Sequence, residues 1–328
     1  MLNADLHAGK PPLLRVEAPP DAARWAAEHR DALRAFVAEH GSLLVRGLGL
    51  REVAETEAVF RHLGSLMTEM EAFAPRQRYA PGVYSSSKWP SNQPMCMHHE
   101  LSYALETPGL MLFACLVAAA AGGATPVADS PAVLDELPAE LVERFERVGW
   151  LLIRNYKDEI GASFAEAFGT DDRGAVERYC RANAIEFEWR DGGALRTWQR
   201  RPAVVRHPLT GRRCWFNQIA FLSEWTLAAE VREYFVDIYG EDGLPFNTRL
   251  GNGDPIGADV VEVINEAYEA NSVREHWQAG DLLLVDNVRT AHGREPFEGA
   301  REIVVAMADA IHPSTVGLDS VTSGRSRS

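Results

Sequence analysis

His98 and Glu100 lie two residues apart in the stretch Met97-His98-His99-Glu100-Leu101-Ser102-Tyr103, a spacing that can do chemistry. In extended backbone the side chains of residues i and i+2 point to the same side. A histidine and a carboxylate so placed can grip one metal ion while His99 points away. Two protein ligands are too few for a catalytic metal, and a third stands late in the chain, at His292 in Asp286-Asn287-Val288-Arg289-Thr290-Ala291-His292-Gly293-Arg294. Two histidines and one carboxylate that leave positions open form the ligand set of non-haem Fe(II) oxygenases. The same residues could hold Zn(II) and activate water for hydrolysis, and a barrel that kept them without turnover would be a binding protein. Either histidine alone would be an ordinary packed or surface residue.

The surrounding blocks add weight. They are His98-His99-Glu100-Leu101-Ser102-Tyr103, Gly122-Gly123-Ala124-Thr125-Pro126, Ile153-Arg154-Asn155-Tyr156, Phe168-Gly169-Thr170, Trp215-Phe216-Asn217-Gln218, Trp277-Gln278-Ala279-Gly280-Asp281, and His292-Gly293-Arg294 through Arg301. In this order the chain resembles the TauD/TfdA-like dioxygenases that depend on Fe(II) and 2-oxoglutarate, and within them the amino-acid hydroxylases of natural-product pathways, the syringomycin aspartyl hydroxylase type. The resemblance implies Fe(II) on His98, Glu100 and His292, with 2-oxoglutarate and O2 at the open positions. It implies oxidative decarboxylation to succinate and CO2, coupled to hydroxylation of an aliphatic carbon. It also offers Thr125 and Arg301 for the far carboxylate of 2-oxoglutarate, a group that needs a fixed cation in an apolar pocket. Arginine's planar fork suits a carboxylate. Arg294 competes for that role but follows His292 too closely to be as well placed. Related halogenases open a chloride site by replacing the carboxylate with a small residue, so Glu100 disfavours halogenation. The implied substrate is an amino acid or amino-acid-derived unit, free or held by a carrier protein or peptide, attacked at Cβ as in antibiotic biosynthesis. The same oxidant gives desaturation or cyclisation when rebound is suppressed.

Two further residues are candidates for substrate binding. Arg154 sits in the largely apolar Leu151-Leu152-Ile153-Arg154-Asn155-Tyr156, where burying an arginine without an anion is costly. It could hold a substrate carboxylate or form a structural ion pair. Asn217, between Phe216 and Gln218, could bind an amino-acid group or cap a strand. The chain departs from the branch's pattern at Ser163-Phe164 and at Ile219-Ala220-Phe221-Leu222-Ser223-Glu224-Trp225, both expected to reshape the substrate side. Arg196, Arg200, Arg201, Arg206, Arg212 and Arg213 form a run with no acidic residue between them. Such a run is either a solvated face or a dock for an acidic carrier protein.

These side chains require a substantial scaffold, and 328 residues with 46% hydrophobic content supply one. No repeat or long linker divides the chain, so a single domain over 21–312 is expected, with 1–20 as an N-terminal extension and 313–328 as a disordered tail. Net charge of −14 argues against a nucleic-acid or anionic-membrane partner. Four scattered cysteines, with no C-x-x-C pair, suit a reducing cytoplasm. The start lacks a signal-peptide pattern, and Leu110 to Ala124 is too short to cross a bilayer.

Helical spacing is expected over Asp21 to His40, Arg51 to Leu63, Pro131 to Val148, Asp172 to Ala184 and Asp259 to Ala270. Strands are expected at Leu43 to Gly47, in short runs between Gly82 and Asp129 and between Val204 and Leu222, and at Asp281 to Val285 and Ile303 to Ala308. Periodicity alone supports a mixed α+β chain. The family resemblance implies a double-stranded β-helix, a jelly-roll or cupin-like core with flanking and inserted helices.

Overall fold

The computed structural model describes residues 2–68, 71, 73, 76–157 and 161–315. A seven-stranded sheet forms one wall, in the order Leu13–Arg15, Ser42–Arg46, Leu282–Asp286, Thr107–Val117, Glu302–Ile311, Val83–Ser85 and Arg78–Ala80. Strand alternation gives it two apolar faces. Leu110, Leu112 and Ala114, with Val304 and Ala306, pack outward with Leu33, Val37, Val59 and Phe60 of helices Ala22–His40 and Val53–Leu63. Met111, Phe113 and Cys115, with Val305 and Met307, belong instead to a core shared with Val127, Ala128 and Ala291. A fully buried side chain such as Leu112 contributes about 1.5–3 kcal/mol.

Val127, Ala128 and Ala291 come from a four-stranded sheet, ordered Ser272–Val273, Val127–Asp129, Thr290–Arg294 and Met95–His98. Two sheets that share one core, each built from early and late segments, make the expected jelly-roll. The inserted segment adds an antiparallel sheet, ordered Glu186–Trp189, Leu195–Arg201, Trp150–Tyr156 and Phe246–Leu250. Among the described residues, no helix is long and apolar enough to cross a membrane.

Helix ends follow local chemistry. Asp21 accepts a hydrogen bond from the Arg24 backbone N–H, and Gly41, at φ 84°, stops the first helix. The single helix expected over Pro131 to Val148 is two, Ser130–Glu136 and Ala139–Val148. Pro138 separates them, because it lacks an N–H and holds Leu137 in extended backbone, at ψ 144°. Within the N-terminal extension, Leu13–Arg15 pairs in parallel with Ser42–Arg46 and so joins the main sheet. The expected loose tail begins with Ser314–Thr315, a short strand paired with Val204–Arg206; the rest of it, 316–328, lies outside the described residues.

Candidate active site

Strand pairing brings the candidate metal ligands together. His98 ends the strand Met95–His98 and stands directly opposite His292 of Thr290–Arg294. Their rings lie 4.5 Å apart between centroids. The register slips immediately beyond, between His292 and Arg294, where Gly293 leaves no room for a side chain: an added Cβ would meet the Met95 carbonyl oxygen at 2.8 Å. Glu100 lies just past the strand, in the turn that follows. Asn287 clamps that turn, its Oδ1 accepting from the Glu100 N–H at 2.8 Å and its Nδ2 donating to the Glu100 carbonyl at 3.0 Å. One atom from each of His98, Glu100 and His292 falls within 4.8 Å of the others, and all three residues are buried.

Protonation suits a cation. His98 donates from Nδ1 to the Cys96 carbonyl at 2.8 Å, which leaves Nε2 as the free lone pair. Burial pushes its pKa down to about 3, helped by His292. Burial alone would raise the Glu100 carboxyl, but Arg76 and then the two histidines outweigh it and hold it well below the usual range. Glu100 Oε2 is 3.7 Å from His292 Nε2. Two imidazoles and a carboxylate, with Phe221 stacked on His98 at 4.5 Å, are a donor set fit for Fe(II). His99 points away, donating to the Asn287 carbonyl and accepting from the Ser130 hydroxyl.

Thr125 and Arg301 line the same cavity. Arg301 donates from Nε to the Gly123 carbonyl at 2.9 Å and lies 3.5 Å from Thr125 Oγ1, which also accepts from Trp277 Nε1 at 3.2 Å. Gly123, at φ 73°, makes this approach feasible, since a Cβ there would come within 3.1 Å of the arginine's Cδ. Among the described residues no carboxylate pairs with Arg301. Burial, and then Arg294, push its pKa down to about 10, as befits a cation without its anion. Arg294 also lines the cavity, but its guanidinium is committed to the carbonyls of Trp89, Pro90 and Gln93.

The substrate-side candidates fare differently. Arg154 donates to the Glu71 backbone carbonyl at 3.0 Å and lies 3.8 Å from its carboxylate, so the ion-pair alternative is the one observed. Glu71 is buried at φ 58°, and Gln199 donates to the same carboxylate. For Asn217, Nδ2 donates to the Ala203 carbonyl and Oδ1 accepts from the Ile219 N–H, the backbone-capping arrangement that was one of its two alternatives. The arginine run is a correction. Arg196 and Arg201 are buried, Arg196 against Asp242 and Arg201 on the carbonyls of Tyr103, Asn183 and Ala184, while Arg213 pairs with Glu146. These six residues make no continuous docking face. Arg154 does border a second cavity with Phe73, Lys88, Trp89, Glu166 and Phe246. Phe73 packs on Phe221 at 5.4 Å, which links this cavity to His98.

Arg76 and Asn287 escaped the sequence reading. Arg76 looks like one of several surface arginines in Arg76-Gln77-Arg78, and only the fold reveals that it reaches Glu100. Asn287 stood inside the late motif, five residues before His292, with nothing in its type to say that it would hold Glu100.

A buried two-histidine, one-carboxylate set on a jelly-roll core, beside an arginine that no described carboxylate pairs with, defines a non-haem Fe(II) oxygenase using a 2-oxo acid. The profile of the taurine catabolism dioxygenase TauD, TfdA family matches residues 11–307, and the chain belongs to that family. It is 36% identical over 284 residues to the dapdiamide synthesis protein DdaC of Enterobacter agglomerans, covering 85% of each chain. Identity to the clavaminate synthase-like protein At3g21360 of Arabidopsis thaliana is 26% over 287 residues, covering 84% of this chain and 83% of that one. PvcB from Pseudomonas aeruginosa shares the fold, with a TM-score of 0.55 at 15% identity over 94% of this chain and 88% of its own. The chain is an Fe(II)- and 2-oxoglutarate-dependent oxygenase, which displaces the zinc-hydrolase and binding-protein alternatives.

Proposed function

We propose that His98, Glu100 and His292 hold Fe(II), that Thr125 and Arg301 hold the far carboxylate of 2-oxoglutarate, and that the enzyme hydroxylates Cβ of an amino acid or amino-acid-derived unit in a biosynthetic pathway. One observation carries the reading: the ligand set and an arginine that no described carboxylate pairs with line one cavity. Bound Fe(II) and 2-oxoglutarate supply O2 activation, giving succinate, CO2 and one oxygen atom for a substrate C–H bond. The chain's own residues do the rest. Cys96 and Asn287 orient His98 and Glu100, and Arg301 fixes the co-substrate's direction. Phe221, Phe73 and Trp89 separate the iron side from the second cavity and favour an apolar segment near the reacting carbon. Arg154, already paired with Glu71, is a substrate ligand only if the substrate's carboxylate shares or replaces that contact.

That DdaC is a dapdiamide synthesis protein supports a biosynthetic setting. The test is mass spectrometry of products formed with Fe(II), 2-oxoglutarate and O2 from matched free and carrier-loaded amino acids. A gain of one oxygen atom at Cβ supports the proposal, and whichever set reacts identifies the delivered form. Metal-dependent loss of two hydrogens without oxygen gain would replace hydroxylation with desaturation or cyclisation.

A further inference from the structure

Ser86 and Ser87 line the cavity of the candidate iron ligands, and the next two residues, Lys88 and Trp89, line the second cavity, of about 300 Å³. The two spaces therefore share a wall, one stretch of backbone in which neighbouring Cα atoms are about 3.8 Å apart. Aromatic rings dominate the second cavity: Phe73 and Phe246 pack edge to face at 5.0 Å, and Trp89 lies 6.0 Å from Phe221. A space of that size suits a small molecule whose orientation a few polar groups fix.

Of the charged groups on this cavity, Arg154 is already engaged by Glu71, whose carbonyl and carboxylate it meets at 3.0 and 3.8 Å. Lys88 differs: it is exposed, and among the described residues no acceptor takes its ammonium. Glu166, also exposed, commits one oxygen to Ser163, Oε2 accepting from the Ser163 N–H and hydroxyl, both at 2.9 Å. Its Oε1 has no partner among the described residues. A cation and a carboxylate oxygen thus stand open on the rim of an aromatic cavity, and the ligand chemistry they match is a zwitterion. Resting on the proposed amino-acid hydroxylase reading, we infer that Lys88 binds the substrate's carboxylate and Glu166 its ammonium, so that the substrate is a free amino acid. A carrier-held aminoacyl thioester has no carboxylate for Lys88, and an N-acylated residue has no ammonium for Glu166. The flexible four-carbon stem of Lys88 lets its charge follow the head group as the reacting carbon passes Trp89 and Phe221 toward the iron side.

The test uses the full-length protein loaded with Fe(II) and 2-oxoglutarate in the absence of O2. Visible absorption of the complex reports the iron side, and calorimetric titration reports the substrate side. The ligands titrated are the proteinogenic amino acids, their methyl esters and their N-acetyl derivatives. At least one free amino acid should bind wild type, with its ester and its N-acetyl form each weaker by about tenfold, as expected for one charged hydrogen bond at a partly screened rim. Lys88→Ala should bind that acid and its ester alike. Glu166→Gln, which keeps an oxygen for Ser163, should bind the acid and its N-acetyl form alike. A merely structural residue would weaken all three ligands together, and that result overturns the inference. So does an ester or N-acetyl form that binds wild type as tightly as the free acid. A normal 2-oxoglutarate absorption band with no bound amino acid overturns the inference alone, whereas no band in wild type overturns the iron-site reading and this inference with it.

Discussion

Arg301→Ala isolates the contact proposed for the far carboxylate of 2-oxoglutarate. The guanidinium is partly buried and donates to the Gly123 carbonyl, and no described carboxylate neutralises it. A hydrogen bond to a charged group is worth about 1.5–3 kcal/mol, and leaving one member of a buried ion pair alone costs about 3–5 kcal/mol. Solvent reaches part of Arg301, so the expected loss is about 2–4 kcal/mol. At about 1.4 kcal/mol per factor of ten, the dissociation constant for 2-oxoglutarate should rise roughly 30- to 700-fold. The assay is anaerobic titration of the Fe(II)-loaded protein, read by the visible charge-transfer absorption of the complex, and it requires no knowledge of the substrate. 2-Oxobutyrate, which lacks the far carboxylate, should bind wild type and variant alike. If Arg301→Ala binds 2-oxoglutarate within threefold of wild type, the anion site lies elsewhere, and Arg294 becomes the residue to change.

Glu100→Ala should reduce hydroxylation by about a hundredfold or more, beyond what losing an outer-shell contact usually costs; full activity would remove Glu100 from the iron site. Asn217→Ala should cost about 1–3 kcal/mol in urea unfolding, because it strips partners from two buried backbone groups. Its substrate KM should stay within threefold, and a large KM change with stability intact would restore a binding role. His99→Ala, which loses hydrogen bonds to Asn287 and Ser130, should cost about 2–4 kcal/mol while metal stoichiometry stays at one per chain. A fall in stoichiometry at unchanged stability would make His99 a ligand.

The proposed iron ligands were legible because their geometry is local: the H-x-E spacing puts two side chains on one side of the chain, and one late histidine completes the set. Thr125 and Arg301 followed from the family pattern, and the structure brings them together. What escaped depends on long-range packing. Arg76 carries no motif, and its value lies wholly in the turn that brings it to Glu100. Arg196 and Arg201 read as part of a charged run, because spacing along the chain does not tell which arginines a sheet will bury. The Pro138 break lay in view, but the apolar stripe on either side of it argued for one helix. Ala229–Tyr239 went unread for the opposite reason. None of its residues is buried, and its apolar Val231, Tyr234 and Ile238 face outward, so no core-facing stripe marks it.

His98 and His292 stand opposite one another on neighbouring strands contributed by distant parts of the chain. An ion bound there is also a rivet, closing a seam that hydrogen bonds leave irregular at the Gly293 slip. A ligand that binds only the folded chain stabilises it, by about 2.7 kcal/mol at a hundredfold excess over its dissociation constant. Iron supply should accordingly govern how long the protein survives as well as how fast it turns over.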